Sequence, residues 1–92
     1  MSIIAKKIKV HGRVHGVGFR YYTYRQALQY ELTGYVRNVA DGTVEILAEG
    51  PPEALAHFLS AVRRGPQMSE VTACDTQDVA AGGQYVDFQI SG

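Results

Sequence analysis

Between Gly12 and Arg20 the chain reads Gly-Arg-Val-His-Gly-Val-Gly-Phe-Arg, with three glycines in the first seven positions. Glycine lets backbone N–H groups converge on one point without side-chain obstruction. A helix starting at the end of this run adds its unpaired first-turn N–H groups and the positive end of its dipole. A strand–loop–helix junction of this kind is an anion site. Arg20 stands at the helix entrance, where a planar guanidinium can give two hydrogen bonds to one phosphate. The bland alternative is a glycine-rich turn beside a surface arginine. Two familiar phosphate motifs are absent: no Gly-Lys-Ser/Thr closes a nucleotide P-loop, and Tyr21 stands where the dinucleotide fingerprint needs its last glycine.

The residues that are missing narrow the chemistry. A covalent route needs a Cys, Ser or Asp nucleophile in the cradle, and the loop offers only Arg13, His15 and Arg20 as ionisable groups. A metal route needs carboxylates or histidines at ligand spacing. No acidic residue precedes Glu31, and His11, His15 and His57 match no zinc spacing. No metal and no cofactor are therefore expected. What remains is direct attack by water on a phosphorus held by backbone and arginine, because positioning and electrostatics can carry phosphoryl transfer. A carboxylate leaves without help from an acid, so an acyl phosphate is the natural substrate class. A group that orients the water is also required. Asn38 is a candidate, since its amide both donates and accepts. Spacing alone leaves it open, and a turn-flanking asparagine is the commoner reading.

These residues need a scaffold. Residues 3–11 alternate in part, with Ile8 and Val10 against Lys7, Lys9 and His11, and predict a half-buried strand. From about Arg20 to Leu32 the period becomes helical, with Tyr21, Tyr24, Ala27, Leu28 and Leu32 near one stripe and Thr33-Gly34 as the stop. Two strand-like runs, 35–40 and 43–49, flank Asp41-Gly42, which predicts a hairpin with a type I′ turn. Gly50-Pro51-Pro52-Glu53 opens a second helix with Leu55, Phe58, Leu59 and Val62 on one face, closed by Gly65-Pro66. A strand from Met68 to about Asp78 and a last one carrying Val86, Phe88 and Ile90 complete the order. The expectation is an α+β fold: a ferredoxin-like βαββαβ sandwich with an extra short strand, an antiparallel sheet and two helices on one face.

Ninety-two residues predict a single domain, 1–92. The formal net charge is zero, yet Lys6, Lys7, Lys9, Arg13, Arg20 and Arg25 all precede Glu31, so an N-terminal face would attract anions. The lone Cys74 forms no internal disulfide and reads as a small strand side chain. Neither a signal peptide nor a membrane-length apolar run is present, and the expected location is the cytoplasm.

With both segments in view, the sequence closely resembles the acylphosphatase family. Gly12 to Arg20 is similar to its phosphate-loop signature. Gly34-Tyr35-Val36-Arg37-Asn38 followed by Asp41-Gly42-Thr43-Val44-Glu45 is similar to its second signature. The resemblance covers nearly the whole chain, and two linked motifs are far more specific than either alone. It implies that Arg20 binds phosphate together with the backbone of His15, Gly16, Val17, Gly18 and Phe19, and that Asn38 orients the attacking water. It implies hydrolysis of the carboxyl–phosphate bond of a small acyl phosphate, with inorganic phosphate as product and competitive inhibitor, and with neither metal nor phosphoenzyme. A monomer is expected. Departures from the family pattern are His15 where glutamine is usual, Tyr35 where tryptophan is frequent, and the Ser91-Gly92 ending.

The same order of elements also serves RNA recognition. That use needs aromatic residues on the sheet, especially on the third strand, and the run from Thr43 to Glu49 has none and carries two glutamates. No nucleic acid partner is expected. A second rival is a protein that binds phosphate or an acyl phosphate without turnover.

Overall fold

Ile8 and Val10 are fully buried while Lys7 and Lys9 are exposed, so strand β1 (Ile4–Arg13) turns one face inward. In β3 (Val44–Gly50) the same alternation is unbroken: Val44, Ile46, Ala48 and Gly50 are buried. This half-buried pattern is what a sheet with one covered face requires. The computed structural model describes residues 2–92. Its remaining elements are α1 (Phe19–Gln29), β2 (Thr33–Asn38), α2 (Pro52–Arg64), β4 (Glu70–Val79) and β5 (Phe88–Ile90). The sheet order is β4-β1-β3-β2-β5. The expected βαββαβ order and the extra short strand are both present.

The β1–β3, β1–β4 and β2–β3 pairs are antiparallel, and β5 runs parallel to β2. The short parallel edge makes the sheet mixed rather than purely antiparallel. The last strand is short, only three residues long. Val86 was expected to share the inward face with Phe88, but it is 92% exposed while Phe88 is buried. Phe88 meets Phe58 of α2 edge-on, with ring centroids 6.2 Å apart, and so ties the edge strand to the core.

Helix α2 presents its predicted face: Leu55, Phe58 and Val62 are buried with Ala61 beside them, and Leu59 is half-buried against the core. Pro52 opens it, Glu53 lies in its first turn and Arg63 and Arg64 in its last, all favourable to the helix dipole. Helix α1 differs from expectation. Its buried residues are Phe19, Thr23 and Ala27, whereas Tyr21 is 58% and Leu28 49% exposed. Thr23 interrupts the apolar signal because it is polar, yet its hydroxyl is buried without a partner.

The hairpin is present but its turn is not type I′. Gly42 has φ 92° and Asp41 does not have positive φ. The Gly42 N–H donates to Val39 O at 3.0 Å and the Val39 N–H to Thr43 O at 2.9 Å. This is a type I turn followed by a left-handed glycine, the common three-residue hairpin loop. Asp41 favours it by accepting the Thr43 N–H and Oγ1 at 3.0 and 2.6 Å.

Candidate active site

Val14 and Phe19 are each 1% exposed, so the loop is pinned in the core on both sides of its glycine-rich middle. Between them Gly16 has φ 70° and Gly18, the residue preceding α1, has φ 77°. Neither position would crowd a Cβ. The glycines are therefore required by the left-handed backbone rather than by space. Among the described residues, no backbone N–H from His15 to Arg20 donates to a protein acceptor. The helix has no side-chain N-cap and no acidic residue in its first turn. Its first-turn N–H groups are thus free of protein partners at the positive end of the helix dipole.

Arg20 is the second residue of α1. Among the described residues no carboxylate pairs with it; the four ion pairs belong to Lys6, Lys9, His11 and Arg37. Asn38 is the last residue of β2, opposite Val44 of β3. Arg20 and Asn38, eighteen positions apart in the chain, line one cavity of about 230 Å³ together with Gly16, Gly18 and Phe19. The Asn38 Oδ1 is buried and has no hydrogen-bond partner. A buried acceptor left unpaired is costly in a folded protein, so such a group calls for a ligand or an ordered water.

Of the loop residues expected at the site, Gly16, Gly18, Phe19 and Arg20 line this cavity. The side chains of His15 and Val17 turn elsewhere. His15 Nε2 meets Thr43 O at 2.8 Å, and Val17 packs against the core. Neither of these two residues lines the cavity. Three further residues line it: Val14, Tyr21 and Ile90. Tyr21, which helical periodicity assigns to the apolar stripe of α1, is instead 58% exposed and borders this cavity. Ile90 reaches the site because β5 lies parallel beside β2, a placement with no local signal in the sequence. The Asn38 N–H also donates to Gly92 O at 3.4 Å.

Other polar groups sit apart from the cavity. On the sheet face away from the helices, Glu45 accepts from Tyr35 Oη, and from Arg37 Nε and Nη2 at 3.2 and 3.3 Å. Burial, reinforced by the bond to Glu45, pushes the Tyr35 phenol up to about 12. The same Tyr35 bond is the main reason that the Glu45 carboxyl lies below its ordinary value. Of the three inner strands, β1 and β3 carry no Phe, Tyr or Trp, and β2 carries Tyr35. Burial pushes the Cys74 thiol up, as befits a half-buried strand side chain rather than a reactive one. No group of three or more His, Cys, Asp or Glu arranged to hold a metal occurs among the described residues. No helix among them is long and apolar enough to cross a membrane.

Comparison with known proteins bears on this arrangement directly. The acylphosphatase family profile matches residues 6–90. A protein of Syntrophotalea carbinolica named acylphosphatase is 44% identical over 90 residues, covering 98% of each chain. One of Pseudothermotoga lettingae, with the same name, is 52% identical over 83 residues, covering 90% of this chain and 92% of its own. The crystal structure of acylphosphatase from Bacillus subtilis superposes with a TM-score of 0.93 at 42% identity, over 97% of this chain and 99% of that one.

Proposed function

Since the chain belongs to the acylphosphatase family, we propose that it hydrolyses acyl phosphates by direct attack of a water oriented by Asn38 on a phosphate held by Arg20 and the backbone amides of loop 12–20. Its class, a hydrolase acting on acid anhydrides, follows from that membership. In the proposed step the water oxygen forms a new P–O bond and the bond from phosphorus to the acyl oxygen breaks. The carboxylate leaves with the electron pair, and the surplus proton of the water passes to a phosphoryl oxygen or to solvent. Arg20 and the converging N–H groups face the three phosphoryl oxygens and stabilise the charge they carry in the transition state. No protein nucleophile and no general acid is needed. We extend the proposal to a monomer of one domain that acts on small acyl phosphates in the cytoplasm, with inorganic phosphate as product and competitive inhibitor.

One observation carries this reading: Asn38 shares the cavity of Arg20 and the loop glycines, and its Oδ1 is buried there with no protein donor. That acceptor can hold one hydrogen of a water whose oxygen faces the phosphorus. The test is hydrolysis of benzoyl phosphate with a chelator present. Arg20→Ala is expected to lose both turnover and inhibition by inorganic phosphate. Asn38→Ala is expected to keep phosphate inhibition while kcat falls about a hundredfold or more. Full activity of Arg20→Ala overturns the mechanism. An unaltered chain that binds phosphate without turning over benzoyl phosphate is a binding protein instead.

A further inference from the structure

We infer that the His15 side chain is a positioning residue, which sets the separation between the phosphate loop and Asn38 through one backbone oxygen. The inference rests on the roles proposed above for the loop and for Asn38. His15 Nε2 lies 2.8 Å from the carbonyl oxygen of Thr43. That oxygen also accepts the N–H of Val39 at 2.9 Å, and Val39 directly follows Asn38. A carbonyl oxygen has two lone pairs. Here one takes the loop and the other takes the residue next to Asn38. The only rotatable part of this link is a short, rigid imidazole side chain.

Thr43 is well placed to serve as the fixed point. It is one of two buried polar residues among those described, 6% exposed. Its N–H and hydroxyl are both committed to Asp41 Oδ1. The other oxygen of Asp41 meets Lys9 Nζ at 3.1 Å, and Lys9 lies on β1, the strand that runs into the loop. The path therefore closes on itself: β1 to Asp41, Asp41 to Thr43, Thr43 to His15, and His15 back along the loop to β1. Among the described residues this ring contact is the one side-chain hydrogen bond made by the glycine-rich middle of the loop, whose N–H groups donate to no protein acceptor and whose Gly18 O accepts only the Tyr22 N–H of α1. Without it the segment is held by apolar packing alone, through Val14 and Phe19 at its two ends and the half-buried Val17 between them.

A carbonyl oxygen only accepts, so Nε2 carries a hydrogen whether the ring is neutral or charged. The tether needs an N–H donor of the right reach and no charge. Arg20, on the rigid helix, keeps the phosphate when the tether is cut. What loosens is the line from the water on Asn38 to the phosphorus, to which in-line attack is sensitive. Loss of His15 should therefore appear in turnover and not in phosphate affinity.

The experiment measures kcat and KM for acetyl phosphate, the inhibition constant of inorganic phosphate and Tm. The unaltered chain is compared with His15→Ala, His15→Leu and His15→Gln, with chelator present. In His15→Ala and His15→Leu, kcat falls about tenfold while the phosphate inhibition constant stays within about threefold. His15→Gln, which restores an N–H donor on a side chain of similar length, recovers most of the loss. Equal kcat losses in all three variants overturn the inference. So does a phosphate constant that worsens in step with kcat, or a fall in Tm at unchanged kcat. Absence of turnover by the unaltered chain strikes at the proposed function instead, and it is seen before any variant is made. Should His15→Ala fail to fold, His15→Leu keeps bulk at this exposed position without a donor and is read in its place.

Discussion

Glu45 shows how a single carboxylate makes stability depend on pH. It accepts from Tyr35 and Arg37, and its folded-state pKa is held down, first by the Tyr35 hydrogen bond. Asp41 is shifted in the same direction, chiefly by the Thr43 hydroxyl. A carboxyl with a lowered folded-state pKa binds its proton less readily when folded, so its contribution is complete above the unfolded-state value and is lost as pH falls. Tm is expected to decline below about pH 4.5, and Glu45→Gln to flatten part of that decline while lowering Tm at pH 7. Melting curves from pH 7 to pH 2.5 check this; parallel curves for both proteins refute it. At this scale the legible residues are those whose role is local. Arg20 and the glycines could be read because strand, loop and helix are consecutive. The partner of His15 could not be read, because it is a backbone oxygen 28 residues away, and a carbonyl has no letter of its own in a sequence.

Among the elements, β2 depends on one glycine. Gly34 has φ 138°, its N–H bonds Asp87 O at 3.0 Å, and an added Cβ would lie 1.8 Å from Leu47 O. The obstacle is backbone of β3, which cannot swing aside. Gly34→Ala is expected to cost about 3 kcal/mol or more and to disturb Asn38 at the far end of the strand. Gly82→Ala is the control of opposite sign. Its φ is not positive and its Cβ would meet only Gln84 at 3.6 Å, so a gain of about 0.5 kcal/mol is expected from a less flexible unfolded chain. Urea unfolding of both variants decides. Element boundaries and order were largely legible, because alternation in β3 and the i, i+3, i+4, i+7 spacing in α2 are strong patterns. The face of α1 was not. Its stripe runs through Phe19, Thr23 and Ala27, in which a polar residue occupies the central buried place, while Tyr21 and Leu28 lie outside.

For the whole molecule, a ligand that binds only the folded state stabilises it in proportion to the logarithm of its concentration. Inorganic phosphate at a hundred times its Kd is expected to add about 2.7 kcal/mol, and so to raise Tm by about 10 °C or more in a chain this small. Arg20→Ala should show no such rise, with chloride at matched ionic strength as reference; an equal rise would place the phosphate elsewhere. The architecture that makes the cavity also sets a timetable for it. Strand β1 is an inner strand, and Ile8 pairs with Ile46 of β3 on one side and Thr76 of β4 on the other. Both partners lie later in the chain, and non-local pairing of this kind is slow to form. During synthesis β1 leaves the ribosome about several seconds ahead of β4. The loop that β1 feeds exists early as a sequence and late as a shape, since Thr43 and Asn38 must arrive before it has anything to rest against. In the mechanism proposed above, which needs Asn38 beside the loop, turnover by a nascent chain therefore marks the moment at which the sheet has closed.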